Sequence, residues 1–260
     1  MSGLDKLILG GIRRGLSPLV PLFRKAVWTN QATYYTYKKL RHGHQVPAAE
    51  DYDIWVEGYP RCANTFCQEI LEIGFPELRN VSHLHAPFSA MRGDGEGKPG
   101  VLVIREPAAA VVSYAIMTGH GLFNCLDYYI AYYGRILDYF DESKQLFVSD
   151  FAETTKNPAK LLQNFANYSG FAQSKSSIAL TNEELSAMAF KHIDERYAMT
   201  NSPGNQESLH ERAVARPNEA RNELSRTLKK ELQGNNRYQQ GLAKAEHFYQ
   251  ATLHRRSNKV

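Results

Sequence analysis

The segment Gly58–Phe66 (GYPRCANTF) combines the groups that bind an anion. It follows a strand-type run, Asp53–Glu57, and precedes a stretch with helical periodicity. A helix begins with backbone N–H groups that lack intrahelical partners and carry about half a positive charge. Arg61 adds a cation, Thr65 adds a hydroxyl donor, and small residues at 62 and 63 let a phosphate approach the backbone. The segment predicts a phosphate site, and the alternative is an ordinary turn with a solvent-facing arginine.

The same segment departs from the loop of magnesium-dependent NTPases, which reads GxxxxGK[ST]. Asn64 stands where the lysine of that loop belongs, and Ala63 replaces its second glycine. Asp150 follows a later strand-type run and resembles the acid that binds magnesium in those enzymes, but it lacks its partner motif. The sequence therefore disfavours hydrolysis of ATP or GTP.

A second stretch with anion-binding groups runs from Arg105 to Ser113 (REPAAAVVS). Arg105 ends a strand-type run, and Ser113 lies two turns into the helix that follows. Ala109 and Ala110 lie one turn before Ser113 on the same face and leave room for a bulky anion. The pair predicts a grip on a second phosphate. Taken alone, Ser113 is a helix serine that bonds back to its own backbone.

Two histidines, His83 and His85, lie between these stretches. An unperturbed histidine has a pKa of about 6.5, which suits a general base at neutral pH. If Val81–Leu84 is a strand, the two side chains point to the same side. Either histidine is then a candidate base, and the competing interpretation of each is a structural histidine beside a loop.

Strand-type and helix-type segments alternate, which predicts an α/β fold with a central, mainly parallel sheet flanked by helices. In such sheets, ligands bind at the carboxyl ends of the strands. The predicted strands cover 53–57, 81–84, 101–104 and 145–149. The predicted helices cover 65–73, 107–117, 126–140, a segment from Asn157-Pro158 to Gly170, 181–190, 217–232 and 241–253. Glycine and proline predict loops at Gly93–Gly100 and 197–216.

Residues 1–50 are predicted to form a helical N-terminal extension of a single domain that spans 51–260. Leu4–Trp28 is apolar and basic, but arginines and a lysine interrupt it, so it matches neither a secretory signal nor a spanning helix. One interpretation is an amphipathic helix in peripheral contact with a membrane through residues 1–28. The other is a helix packed on the main domain, which is favoured because amphipathic helices that pack on a core are much commoner.

Composition limits the classes of function. The net charge of +4 suits an anionic ligand, and no basic run indicates a nucleic-acid partner. The three cysteines lack a CxxC pair, so a disulfide framework or a zinc site is not expected, and a cytoplasmic location is. Acidic, histidine and cysteine residues do not cluster at ligand spacing, so we expect no metal.

The order of these elements resembles the family of sulfotransferases that use 3′-phosphoadenosine 5′-phosphosulfate (PAPS). In that family the first loop reads [G/T]-Y-P-[K/R]-S-G-[T/N]-T-[W/F], an H-x-P histidine and an R-x7-S stretch follow, and K-x-N-P comes after a later strand. The counterparts here are Gly58–Phe66, His85-Ala86-Pro87, Arg105 with Ser113, and Lys156-Asn157-Pro158. The resemblance covers about residues 52–170.

The resemblance implies a P-loop-like sulfotransferase fold and transfer of a sulfonate group from PAPS to a hydroxyl or amine, which leaves adenosine 3′,5′-bisphosphate. It implies that His85 is the base, with His83 as its competitor, and that Arg61 stabilises the leaving phosphate. It assigns the 3′-phosphate to Arg105 and Ser113. The loop residues that it assigns to the donor are Arg61, Cys62, Ala63, Asn64, Thr65 and Phe66. Phe66 is expected near the adenine, or else in the core.

The chain also departs from the family pattern. Cys62-Ala63 replaces Ser-Gly, which removes one hydroxyl contact to phosphate. Arg61 stands where many members have lysine, and it keeps the charge but cannot donate a proton. The family's C-terminal R-K-G-x-x-G-D-W loop is absent. Arg212, Arg216 and Arg221 are candidates for its phosphate contact, and solvated arginines are the alternative.

Two other functions stay open, a nucleotide phosphotransferase or NTPase and a non-catalytic binder of adenosine phosphates. The acceptor is a small molecule, a glycan or a lipid. Four tyrosines of the helix at 126–140 either line a pocket for a ring or sugar or belong to the core: Tyr128, Tyr129, Tyr132 and Tyr133.

Overall fold

The computed structural model describes residues 30, 32–36, 51–79, 84–141, 146–200 and 219–257 of the chain. The chain divides into two compact units, Met1–Val46 and Pro47–Val260. In the first unit, residues 32–36 are helical. The amphipathic segment predicted at Leu4–Trp28 lies outside the described residues. The second unit carries the predicted site residues.

Within the described residues, the second unit contains a parallel sheet of three strands. The strands are β1 (Trp55–Glu57), β2 (Gly100–Ile104) and β3 (Phe147–Asp150), in the order β1-β2-β3. Every residue of β1 and β2 is buried. Since successive side chains of a strand point to opposite faces, both faces of the sheet are covered. The α/β class with a parallel sheet is confirmed.

Helices make up most of the rest of the described chain. The first six are α1 (Asn64–Gly74), α2 (Pro87–Gly95), α3 (Pro107–Thr118), α4 (Leu122–Tyr139), α5 (Phe151–Lys156) and α6 (Pro158–Ser169). They are followed by α7 (Lys175–Ile178), α8 (Asn182–Thr200), α9 (Glu219–Gly234) and α10 (Asn236–Ser257). Helix α8 packs on α1, α9 packs on α3, and α10 packs on α4 and β3.

Local signals place several helix ends where the sequence predicts them. Pro107 and Pro158 occupy the first positions of α3 and α6, where a missing N–H leaves no helical bond unmade. Gly119 and Gly170 end the same two helices in the left-handed conformation that glycine adopts without steric cost. The predicted helices at 65–73, 107–117 and 126–140 are confirmed, with ends that shift by a few residues.

The loop predicted at Gly93–Gly100 is confirmed at 96–99, but its ends are wrong, because glycines there serve close packing. Gly93 belongs to α2 and Gly100 opens β2. A Cβ atom at Gly93 would lie 2.2 Å from Trp55 Cδ1, and one at Gly100 would lie 2.0 Å from Trp55 Cδ2. The indole therefore needs both glycines, and its N–H donates to the Lys98 carbonyl at 3.0 Å.

Two further boundaries change. Helix α8 continues to Thr200, so the first residues of the loop predicted at 197–216 are helical; residues 201–218 lie outside the described part. Leu84 is not in a strand, and residues 81–83 of the strand predicted at Val81–Leu84 are not described. Among the described helices, none is both long and apolar enough to cross a membrane.

Candidate functional site

The predicted site residues lie where the three strands end. Because the strands are parallel and adjacent, their carboxyl ends meet at one edge of the sheet. Strand β1 leads into the turn 58–63, β2 leads to Arg105, and β3 passes directly into α5. The sheet therefore brings both predicted anion-binding stretches to the same edge.

Three residues near this edge have a strained backbone. Within the described part of the chain, the residues other than glycine with positive φ are Arg61 (76°), Ala63 (74°) and His85 (56°). Residues with a Cβ atom avoid this left-handed region, at a cost of about 1–3 kcal/mol each. All three are residues that the sequence assigns to the site. Backbone strain of this kind clusters at functional sites, because the surrounding structure must enforce it.

Alternate residues of the loop face the protein interior. The side chains of Cys62, Asn64 and Phe66 are buried, and those of Arg61, Ala63 and Thr65 are partly exposed. A ligand that approaches this turn can therefore reach the odd-numbered side chains. The loop residues that the sequence assigns to the donor therefore fall into an accessible group and a buried group.

The Cys62 thiol belongs to the core. It lies 3.6 Å from the Tyr133 hydroxyl, and burial raises its pKa to about 12. The Cys62 backbone N–H donates to the Tyr59 carbonyl at 3.2 Å. The thiol and the backbone N–H of Cys62 therefore have protein partners, which explains how a cysteine can occupy this position of the loop.

The start of α1 differs from the starts of the helices that follow the other two strands. Glu106 caps α3 by accepting from the N–H groups of Ala108 and Ala109, and Asp150 caps α5 by accepting from Ala152. The N-cap of α1 is Ala63, which makes no side-chain cap bond. The first-turn amides of α1 therefore have no carboxylate cap, and an anion can fill that role.

The two anion-binding stretches meet at Arg61. The Arg105 Nη1 atom donates to the Arg61 carbonyl at 2.9 Å, and Arg61 Nε donates to the Ser113 hydroxyl at 3.3 Å. The Arg105 guanidinium also lies 4.1 Å from the centre of the Phe151 ring. Ser113 thus has a partner outside its own helix. Arg61 therefore links Arg105 and Ser113, the two residues that the sequence assigns to a second phosphate.

A third arginine, Arg221 of α9, lies near this pair. Burial lowers the pKa of Arg105, and the positive charge of Arg221 lowers it further, while Glu106 and Asp150 act in the opposite direction. Burial also lowers the pKa of Arg221. Two guanidinium groups that repel each other in a partly buried place favour an anion nearby. The other two candidate arginines, Arg212 and Arg216, lie outside the described residues.

His85 is partly exposed and held from several sides. Its Nδ1 atom lies 2.9 Å from the Asn64 amide nitrogen and 3.5 Å from the Gly58 carbonyl oxygen. The Tyr128 hydroxyl donates to the His85 carbonyl at 3.0 Å. The loop and the predicted base are therefore in direct contact through Asn64. His83 lies outside the described residues.

The contacts around Nδ1 serve both neutral tautomers of His85. When Asn64 donates to Nδ1, the ring proton is on Nε2. When the proton is on Nδ1, it points to the Gly58 carbonyl, and Asn64 retains that same carbonyl at 2.7 Å and the Tyr59 carbonyl at 3.4 Å as acceptors. In the second tautomer, Nε2 is the basic nitrogen of the ring.

Glu57 is a functional candidate that sequence reasoning missed. This last residue of β1 is fully buried, and its carboxyl oxygens accept from the N–H groups of Leu84 (2.8 Å) and Ala86 (3.1 Å). Burial raises its pKa to about 8, although bonds from Leu84, Ser89 and Ala86 act against that rise. The feature of the sequence that could have revealed it is an acidic residue at the carboxyl end of an otherwise apolar strand.

The tyrosines of α4 are core residues that fasten the site. Tyr128, Tyr129, Tyr132 and Tyr133 are all buried. The Tyr129 hydroxyl donates to the Arg105 carbonyl at 2.9 Å, and the Tyr133 hydroxyl donates to the Val103 carbonyl at 3.0 Å. Buried phenols need such partners, and here the partners are backbone groups of the site segments. Of the two interpretations, the structure favours the core.

Two further residues singled out in the sequence, Phe66 and Asp150, contact side chains of distant helices. Phe66 is 6 % exposed, and its ring lies 5.3 Å from that of Phe190 in α8. The second Asp150 carboxyl oxygen accepts from the Tyr249 hydroxyl at 2.8 Å, so both oxygens of the carboxylate have partners. Asn157 precedes α6 without a side-chain cap bond. Across the described ranges, histidine, cysteine and acidic residues form no group that could hold a metal ion.

A scan against protein-family models and a search of curated proteins both returned no match for this chain.

Proposed function

We propose that this protein is a sulfotransferase with a P-loop-like fold, which transfers a sulfonate group from PAPS to a hydroxyl or amine of a small-molecule, glycan or lipid acceptor. The observation that carries the proposal is the junction of Arg105, Arg61 and Ser113 beside an uncapped helix start. His85 contacts the same loop through Asn64. The site thus combines separate cationic groups with a candidate base.

The residues present fit a ligand with two separate anionic groups. The first-turn amides of α1, with Arg61 and Thr65, would hold the 5′-phosphosulfate of the donor. Arg105 and Ser113, with Arg221 on the neighbouring helix, would hold the 3′-phosphate. When bound, the donor supplies an activated sulfonate group on a mixed anhydride. A 3′,5′-bisphosphate uses two such anion sites, whereas a triphosphate uses one continuous cradle and a magnesium ion.

The chain's own residues then have separate tasks. Arg61 stays charged at every working pH and neutralises the charge that develops on the leaving phosphate, but it donates no proton. His85 takes the acceptor proton at Nε2 from the tautomer whose Nδ1–H points to Gly58. Tyr128 donates to the carbonyl of His85, and the Gly58 carbonyl faces its Nδ1–H, so the base is oriented before the acceptor arrives.

A non-catalytic binder of adenosine phosphates is the second candidate. One observation favours it: the shorter Nδ1 contact of His85 is the one from Asn64, and that arrangement places the ring proton on Nε2. A histidine fixed in this state donates a hydrogen bond and accepts no proton there. Binding of the bisphosphate without transfer to any acceptor is the mark of this function.

The experiment that tests the proposal has two stages. Calorimetric titration with adenosine 3′,5′-bisphosphate is expected to give one site whose affinity is unchanged when magnesium is replaced by EDTA. Incubation with 35S-labelled PAPS and panels of phenols, alcohols, amines, glycans and lipids is then expected to give a labelled product. Magnesium-dependent turnover of ATP, with no bisphosphate binding, would instead show a phosphotransferase or NTPase.

The position of Arg221 gives a specific expectation about affinity. We expect Arg221→Ala to weaken binding of adenosine 3′,5′-bisphosphate about 10- to 150-fold, because a hydrogen bond to a charged group contributes about 1.5–3 kcal/mol. Arg226→Ala is the matched control, since Arg226 is exposed on the same helix. Titration of each variant with adenosine 5′-monophosphate localises the effect. A loss that is equal for both ligands, or equal in both variants, contradicts a 3′-phosphate contact.

A further inference from the structure

The turn that carries His85 is fixed by a buried carboxyl group from another element. Leu84 and Ala86 flank His85, and their N–H groups donate to the two carboxyl oxygens of Glu57 at 2.8 Å and 3.1 Å. His85 itself has a φ of 56°, which its side chain does not favour. Two bonds to one carboxyl group, one on each side of His85, hold the turn in that conformation.

Burial of a carboxyl group at this position costs free energy of folding. A buried carboxyl group loses its hydration, and its bonds to protein donors only partly offset that loss. Glu57 is 0 % exposed, and its donors include Leu84, Ala86 and Ser89. These donors lie in the turn 84–86 and the helix that follows it, and the Tyr132 hydroxyl of α4 adds a longer contact at 3.5 Å.

The same residue is joined to the phosphate loop. Glu57 directly precedes Gly58, whose carbonyl accepts from Asn64 at 2.7 Å, and Asn64 in turn contacts His85 Nδ1. Gly58 has no room for a side chain, since a Cβ atom there would lie 2.3 Å from the Val103 carbonyl oxygen. The contacts run from Glu57 through the loop to the ring of His85 and back through the turn.

We propose that Glu57 is a positioning residue, whose carboxyl group holds the turn 84–86 so that His85 Nδ1 lies against the Asn64 amide and the Gly58 carbonyl. Glu57 acts on His85 and touches no substrate. The catalytic part of this inference rests on the proposed role of His85 as the base. The geometric part, that Glu57 sets the position of the His85 ring, does not depend on that role.

The test compares Glu57→Gln with Glu69→Gln. A carboxyl group can turn its proton away and accept two N–H bonds, whereas the NH2 group of glutamine accepts none. Glu69 is a matched control because it is also fully buried and lies on α1, but it pairs with Arg196 of α8 at 2.9 Å. In 15N-labelled protein, the ring nitrogens of His85 report the tautomer and its hydrogen bonds.

We expect Glu57→Gln to move the His85 nitrogen signals toward those of free imidazole. It should also lower kcat about 10- to 100-fold at an unchanged KM for the donor, because a small displacement of a catalytic group costs up to about 100-fold. Glu69→Gln should change neither. Ring signals and kcat that stay at wild-type values in folded Glu57→Gln overturn the proposal. A shifted ring in a protein that transfers no sulfonate leaves the positioning role intact and refutes the sulfotransferase.

If Glu57→Gln does not fold, the wild-type protein provides the test. The pKa of Glu57 is raised to about 8, so its ionisation falls in a pH range open to NMR. Tyr132 contacts the Glu57 carboxyl group at 3.5 Å, and burial raises the tyrosine pKa far above that range, whereas His85 contacts Glu57 through its backbone. The amide protons of Leu84 and Ala86 and the His85 ring nitrogens should share one inflection near pH 8. Amides that titrate without the ring overturn the proposal.

Discussion

Replacement of His85 by alanine is expected to lower kcat for sulfonate transfer by about 10²- to 10⁴-fold, the usual contribution of a general base. The structural reason is the contact between His85 and the loop, since Nδ1 lies 2.9 Å from the Asn64 amide nitrogen. Alanine removes the proton acceptor but leaves the loop amides and Arg61. Affinity for adenosine 3′,5′-bisphosphate, measured by calorimetry, should therefore change by less than about threefold, the size of a weak contact.

His247→Ala is the control for this experiment, because His247 is exposed on α10. The wild-type enzyme should also gain rate as pH rises, because a general base must lose its proton before it can act, and His85→Ala should lack that rise. The base is not His85 if transfer survives within a few-fold and the pH profile is unchanged. His83→Ala, measured in parallel, then shows whether the neighbouring histidine has that role.

The sequence predicted the parts of the site that depend on local signals. The strand, turn and helix at 53–73 follow from a strand-type run, a turn of small residues and a helical apolar stripe. The meeting of Arg105 with the loop also follows, because neighbouring parallel strands end at one edge of the sheet. What the sequence did not provide is the bridge at Arg61, which joins Ser113 to the Arg105 side of the site.

Contacts between distant segments account for most of what was missed. Glu57 has the sequence context of a strand end, and its partners lie 27 and 29 residues away at Leu84 and Ala86. Side chains that bond to backbone groups leave no pattern of residue types, because every residue has an N–H or a carbonyl group. The same reason explains Tyr129, whose hydroxyl binds the Arg105 carbonyl. A tyrosine-rich helix alone cannot distinguish this arrangement from a pocket wall.

Glycine content led to a different kind of error, in which a residue pattern was present but its cause was misread. The run Gly93–Gly100 predicted a loop from composition, since glycine and proline commonly mark turns. In the structure two of those glycines accommodate Trp55, whose indole would overlap a Cβ atom at either position. Composition records that a glycine is present but does not distinguish backbone freedom from close packing. Conversely, the left-handed residues of the loop are Arg61 and Ala63, where the sequence offers no glycine to mark them.

Replacement of Arg61 by alanine is expected to lower kcat by about 10²- to 10³-fold, the effect of removing one preorganised group that stabilises developing charge. Arg61 is suited to this task because its side chain is partly exposed at the start of α1 and is oriented by the Ser113 hydroxyl at 3.3 Å. The bond from Arg105 goes to the Arg61 carbonyl, so it survives the substitution. Single-turnover rates with saturating PAPS measure the chemical step directly.

Arg61→Gly separates the role of the guanidinium from the shape of the loop. Arg61 has a φ of 76°, which glycine adopts freely and alanine does not, so the glycine variant should unfold at a temperature no lower than the alanine variant. Both should lose the same rate if the side chain matters only through its charge. Arg61→Lys should then keep kcat within about tenfold, since lysine supplies a cation but not a fixed planar one. A glycine variant that transfers sulfonate at the wild-type rate would assign the leaving-group charge to Arg105 and the loop amides instead.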